Sequence, residues 1–178
     1  MMATLLVPLL LTGALLCTGC SRAPEGYSPP LQRQFGAAPA KPSMIMAEMA
    51  DPAALAFIVN DIQDGIEGSG WRWTHQRPEL RYELDRTDGW KLACEFSFPK
   101  PNFRDTGPVT VSFFVNGRAL GQVRYTEPGD KRFEKPVPAA WLRTGEYTTV
   151  RAEVDPPWIA PTDKVRLGMV LFRAGFIR

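Results

Sequence analysis

Histidine and cysteine are scarce in this 178-residue chain, with one of the first and three of the second. A zinc centre takes three or four His, Cys or carboxylate ligands, and no cluster here offers them. A Ser-His-Asp relay needs an imidazole held by a carboxylate, and the single candidate, His75, stands in "WTHQRP", where it reads as a surface residue. Neither sign of charge predominates. The 21 basic and 19 acidic side chains leave a net charge of +2 and are interspersed. A nucleic-acid binder carries a basic patch or stripe, and none is present. Internal repeats are absent. Paired carboxylates of the glycosidase kind remain the one chemistry that spacing cannot reveal, and no motif marks such a pair. The chain therefore reads as non-enzymatic, with no cofactor.

Long apolar runs are also lacking, except at the start. "MMATLLVPLLLTGALLCTG", residues 1–19, has no charged side chain but is interrupted by Pro8 and Gly13. A membrane-spanning helix needs about 20 apolar residues, so the run fits an export signal better. It ends in "LLCTGC", which resembles the lipobox of bacterial lipoproteins, small residues leading to a cysteine. That resemblance implies that Cys20 is acylated and becomes the mature N-terminus, anchored in a lipid bilayer. Ser21, not aspartate, follows the cysteine, which by the same resemblance implies the outer membrane. With Cys17 removed and Cys20 alkylated, Cys94 has no disulfide partner. Its place in "WKLACEFSF" makes it a small buried hydrophobe on the face of Trp90, Leu92, Phe96 and Phe98.

Residues 20–43 hold five prolines and no apolar period, the composition of a tether. Residues 44–178 remain as one domain by length. "ADPAALAF" holds the best helix start, with Asp51 to cap and Pro52 at the first position. Beyond it, apolar alternation predicts strands at residues 57–62, 71–74, 79–84, 90–98, 109–115, 119–125, 132–137, 147–154 and 165–174. Short strands separated by Gly and Pro argue an all-β sandwich with one short helix. In "VTVSFFVNGRALGQVRY" a two-residue turn at Asn116-Gly117 would pair Val115 with Arg118 and mix polar and apolar residues on one face. The expectation is therefore a three-residue loop pairing Phe113 with Ala119 and Val111 with Gly121.

The segments "GWRWTHQRPELRYEL", "TGPVTVSFFVNG", "PGDKRFEKPVP" and "VRLGMVLFRAGF" resemble an uncharacterised family of small bacterial envelope proteins. The resemblance runs from about Ala47 to Arg178. It implies a jelly-roll, galactose-binding-like sandwich similar to carbohydrate-binding modules, and it assigns no functional residue.

Candidate ligand groups follow from residue type. Trp71 and Trp73 share one face of a strand with Arg72 on the other. Burial of a ring stabilises a domain by a few kcal/mol, so the pair is expected in the core, with Arg72 outward or paired to Glu67 or Glu79. Trp141 in "PAAWLRTGE" and Trp158 in "DPPWIAP" lie on connections, where an aromatic face can stay free for a ligand. Arg72, Trp141 and Trp158 are thus the predicted contact residues. Asp61, Asp64 and Glu67 around Gly65 are candidates for calcium, although their spacing is not that of an EF-hand. The expected function is non-catalytic recognition of envelope glycan or exopolysaccharide. The rival is an assembly lipoprotein that binds a protein partner.

Overall fold

The computed structural model describes residues 44–178, which fall within one compact unit. The predicted signal segment, Cys20 and the tether lie outside the described residues. The strands are Met46–Glu48 (β1), Ile58–Ile62 (β2), Arg72–Glu83 (β3), Lys91–Phe98 (β4), Val109–Val115 (β5), Arg118–Tyr125 (β6), Gly129–Pro136 (β7), Tyr147–Asp155 (β8), Trp158–Ile159 (β9) and Arg166–Ile177 (β10). Every pairing is antiparallel. One path of hydrogen-bonded neighbours runs β6-β5-β8-β3-β10-β4-β7. The long strand β3 is the corner between two layers: its residues 72–75 pair with β10 and its residues 79–83 pair with β8. The result is the all-β sandwich expected from the alternation.

The core comes from that alternation. Val109, Val111, Phe113 and Val115 of β5 are buried, as are Leu92, Cys94, Phe96 and Phe98 of β4. Phe113 meets Phe96 at 6.1 Å and stacks on Phe133 at 3.8 Å, closing the space between layers. Each fully buried ring of this kind stabilises by roughly 1.5–3 kcal/mol. Burial pushes the Cys94 thiol up to about 12. The buried Tyr82 hydroxyl donates to the Ala174 carbonyl at 2.8 Å, which removes the penalty for its burial.

Helices differ from expectation. Asp51 caps as predicted, accepting from the Ala53 N–H at 2.8 Å, but Pro52–Ala56 forms a 3-10 turn. The α-helix is Lys100–Thr106 (α1), ended by Gly107 at φ 73°, whose N–H returns to the Phe103 carbonyl. Phe103 buries against Phe98 at 6.3 Å and holds α1 to the sandwich. The strands expected at 71–74 and 79–84 are the one strand β3.

The expected three-residue hairpin loop is overturned. Val115 pairs with Arg118 across a two-residue turn with Asn116 at φ 47° and Gly117 at φ 73°. The mismatch of faces is removed further along. One extra residue in β6, Leu120, shifts the register so that Phe113 opposes Gly121, Val111 opposes Val123 and Val109 opposes Tyr125. Leu120 itself enters the core. Asn116 holds its left-handed backbone through its side chain, which accepts from the Thr149 N–H at 2.8 Å and donates to the Trp141 carbonyl at 2.7 Å.

Candidate functional site

Strand β3 sets the site through its parity. Arg72, Thr74, Pro78, Leu80 and Tyr82 are buried, while Trp71, Trp73 and His75 are half-buried and Arg77 and Arg81 exposed. Side chains alternate across a strand, so the second set shares the outer face. This reverses the expected arrangement of the tryptophans. Arg72 is 1% exposed and belongs to no outward ligand surface. Its guanidinium donates to the carbonyls of Met49 (3.2 Å), Gln63 (3.4 Å) and Asp64. Those three carbonyls, brought together from two separate segments, replace water around the charge. The ion pair expected with Glu67 or Glu79 is therefore not the partner that holds it.

The two indoles meet edge to face at 5.7 Å on the outer surface. Trp71 also lies against the backbone of Gly68, where a Cβ would come within 2.4 Å of its Nε1. That close approach, at φ 51°, requires glycine. Beside Trp73, Val170 of β10 is its direct partner. Next along, Leu167 pairs with His75 on one side and with Trp158 of β9 on the other. Directly opposed residues of an antiparallel pair share a face. His75, Leu167 and Trp158 therefore form one row on the outer surface that carries Trp71 and Trp73. Leu167 and Val170 are buried yet stand outside the main core cluster. They are the floor of a surface patch, with His75 and Trp158 two strand spacings apart, roughly 10 Å. The strand pair is drawn tight at Gly168, where a Cβ would sit 2.3 Å from the His75 carbonyl.

Trp158 opens on a cleft of about 360 Å³ lined by Asp105, Thr106, Pro156, Pro157 and Ile159. Its Nε1 donates to Asp105 Oδ2 at 3.0 Å. This hydrogen bond, with Arg104 beside it, lowers the Asp105 carboxyl below its ordinary value. The indole is thereby fixed in orientation by a group from α1, fifty-three residues earlier in the chain.

A second, polar cavity of about 550 Å³ lies over residues 75–77 of β3, lined by Asp61, His75, Gln76, Arg77 and Arg166. Asp61 accepts from the Arg77 N–H at 3.1 Å, and the Arg77 guanidinium is taken by Glu153 at 2.8 Å. His75 Nδ1 donates to the Arg166 carbonyl at 3.2 Å, not to a carboxylate as a catalytic relay would require.

Other predicted residues go elsewhere. The calcium candidates Asp61, Asp64 and Glu67 are not brought together as a ligand set among the described residues. Asp61 is turned to Arg77, Asp64 gives its carbonyl to Arg72, and no group of three such side chains among the described residues is placed to hold an ion. Trp141 packs against the core at the hairpin end, with the Arg118 guanidinium 5.8 Å over its ring. Trp90 is buried as expected. It lines a larger, mostly apolar cavity of about 790 Å³ with Met44, Ile45 and Phe176. There Arg178 covers the ring at 4.7 Å, so that indole face is already occupied. Among the described residues no helix is long and apolar enough to cross a membrane.

The sequence matches no protein-family model and no curated protein. Among solved structures the chain is similar to a family 35 carbohydrate binding module from an environmental isolate, with 9% identity over 76% of this chain and 93% of that one at a TM-score of 0.43. It is also similar to an exo-beta-1,3-galactanase from Phanerochaete chrysosporium, with 10% identity over 76% of this chain and 29% of that one at a TM-score of 0.41. A third is the CBM51-2 and INT domains from Clostridium perfringens ZmpB, with 10% identity over 76% of this chain and 28% of that one at a TM-score of 0.37. The chain spans less than a third of the length of the last two.

Proposed function

We propose that residues 44–178 are a non-catalytic recognition module that binds carbohydrate on the outer face formed by β3, β10 and β9. The observation that carries this reading is the presence of Trp71, Trp73 and Trp158 on one outward face, each half-buried with part of its surface open. A pyranose ring has an apolar C–H face and a polar rim. Indoles accept the first, and planar polar side chains beside them accept the second. Asp105, His75 and Gln76 supply such groups at two ends of the patch. The proposed ligand is an envelope glycan or exopolysaccharide. Residues 1–20 support the further reading that Cys20 is acylated and holds the module at the outer membrane.

Two experiments test these readings. In glycan-array and titration measurements, Trp73→Ala and Trp158→Ala should each abolish or greatly weaken binding, while Trp141→Ala leaves it intact. Failure of the wild-type chain to bind any bacterial or plant glycan would sink the reading and move it to a protein partner. For the anchor, Cys20→Ala should accumulate as an unprocessed precursor. A wild-type mature N-terminus without lipid by mass spectrometry would refute acylation.

A further inference from the structure

We propose that the polar cavity over residues 75–77 of β3, bordered by β2 and β10, is a second subsite for the same ligand, and that the ligand is a neutral oligosaccharide lying along β3. This rests on the carbohydrate reading above and adds length and charge to it.

The fork where β10 and β8 part beside β3 has a cause in sequence. Pro78 has no N–H to give to a neighbouring strand. On that edge β10 pairs as far as His75 and β8 begins at Glu79, so residues 76–78 have no strand beside them. On the opposite edge Asp61, at φ 57°, turns its carboxylate to the Arg77 N–H. The cavity beside this fork lies over the outer face of β3 and is lined by side chains from β2, β3 and β10. It lies on the line of the tryptophans. From Trp71 to Arg77 the outer face of β3 runs for roughly 20 Å at about 3.3 Å per residue. That length is a track for several sugar rings, with stacking at one end and hydrogen bonding at the other.

The polar groups select the charge of the ligand. Arg77 is engaged by Glu153, so its charge is already met. Among the described residues the Arg166 guanidinium and the Gln76 amide have no side-chain partner, and Asp61 Oδ1 is unused. Guanidinium groups only donate, ionised carboxylates only accept, and an amide does both. A sugar hydroxyl also does both, so neighbouring hydroxyls can satisfy Arg166 and Asp61 together. An acidic sugar would satisfy Arg166 but place its charge against Asp61. The cavity therefore suits a neutral polyol.

The test is isothermal titration of the full chain in detergent with neutral glucan, galactan and N-acetylglucosamine oligomers of increasing length, beside oligogalacturonate. Affinity for a neutral series should rise with length. Arg166→Ala and Asp61→Asn should each weaken the longer oligomers roughly ten- to hundredfold, as expected for losing a hydrogen bond to a charged group, with dimer binding and melting temperature unchanged. Trp73→Ala should weaken every length. Wild-type binding by both Arg166→Ala and Asp61→Asn would overturn the subsite, as would tighter binding of oligogalacturonate than of neutral oligomers of equal length. No binding of any oligomer by the wild-type chain would overturn the carbohydrate reading itself, a distinct result.

Discussion

Replacing Arg72 tests the inverted parity of β3 most directly. The side chain is 1% exposed and donates to carbonyls of Met49, Gln63 and Asp64. An Arg72→Ala change strands those acceptors and leaves a void. Each hydrogen bond to a charged group accounts for about 1.5–3 kcal/mol, and Arg72 makes more than one. The expected loss is about 3–5 kcal/mol. For a domain of this length that is a fall of roughly 10–20 °C in Tm. Arg72→Lys should recover only part of it, because an ammonium lacks the planar fork that reaches several carbonyls at once. The assay is differential scanning calorimetry with a urea titration on the same samples. An outward arginine would change stability by less than about 0.5 kcal/mol. A melting temperature for Arg72→Ala close to that of wild type would refute the buried-staple account.

Three other outcomes can be read from the same measurements. Trp90→Ala should destabilise by about 3–5 kcal/mol, since Trp90 is buried and its Nε1 donates to the Arg86 carbonyl at 3.0 Å. Trp71→Ala and Trp73→Ala, acting on half-exposed rings, should be milder, and equal losses at all three would contradict the outer-face placement. Asn116→Ala removes two hydrogen bonds and a residue that tolerates φ 47°, so urea unfolding should show a loss of about 1–3 kcal/mol. Glu95 and Glu134 both have carboxyls lowered from 4.5, Glu95 chiefly by the Arg173 hydrogen bond and Glu134 chiefly by that of Lys91. Their contribution to stability is complete above the unfolded value and is lost as pH falls through the lowered folded values. Glu95→Gln should therefore flatten the acid limb of the stability curve, and an unchanged limb would show that solvent screens these exposed pairs out.

The course of β3 explains why the site was only partly legible. In "GWRWTHQRPELRYEL" the alternation is visible on both sides of Pro78, but the proline reads as a break, which leaves the parity of residues 71–74 unset. The even positions Leu80, Tyr82 and Leu84 are buried. Carried through as one continuous strand, that parity places Arg72 inside and the tryptophans outside. The signal was present; hydrophobicity of the single stretch outweighed it. Trp158 was marked by its loop, yet nothing local joins it to Trp73, since the link runs through Val170 and Leu167 on β10.

The hairpin shows the same division. Asn116-Gly117 is a two-residue turn signal, and local backbone preference prevailed. The facing pattern was then restored by one extra residue at Leu120, which a sequence read as uninterrupted alternation cannot locate.

The sequence by itself determined the class of fold, because side-chain alternation and turn residues are local properties of the chain. It also located most of the longer strands, but not β1, β9 or the continuity of β3. Only the tertiary structure decided which face of β3 is inside. A buried guanidinium is stable only where carbonyls from Met49, Gln63 and Asp64 converge on it. Likewise, Trp158 joins Trp71 and Trp73 because β10 pairs on both edges at Leu167, a relation between distant segments that exists only after the chain has folded.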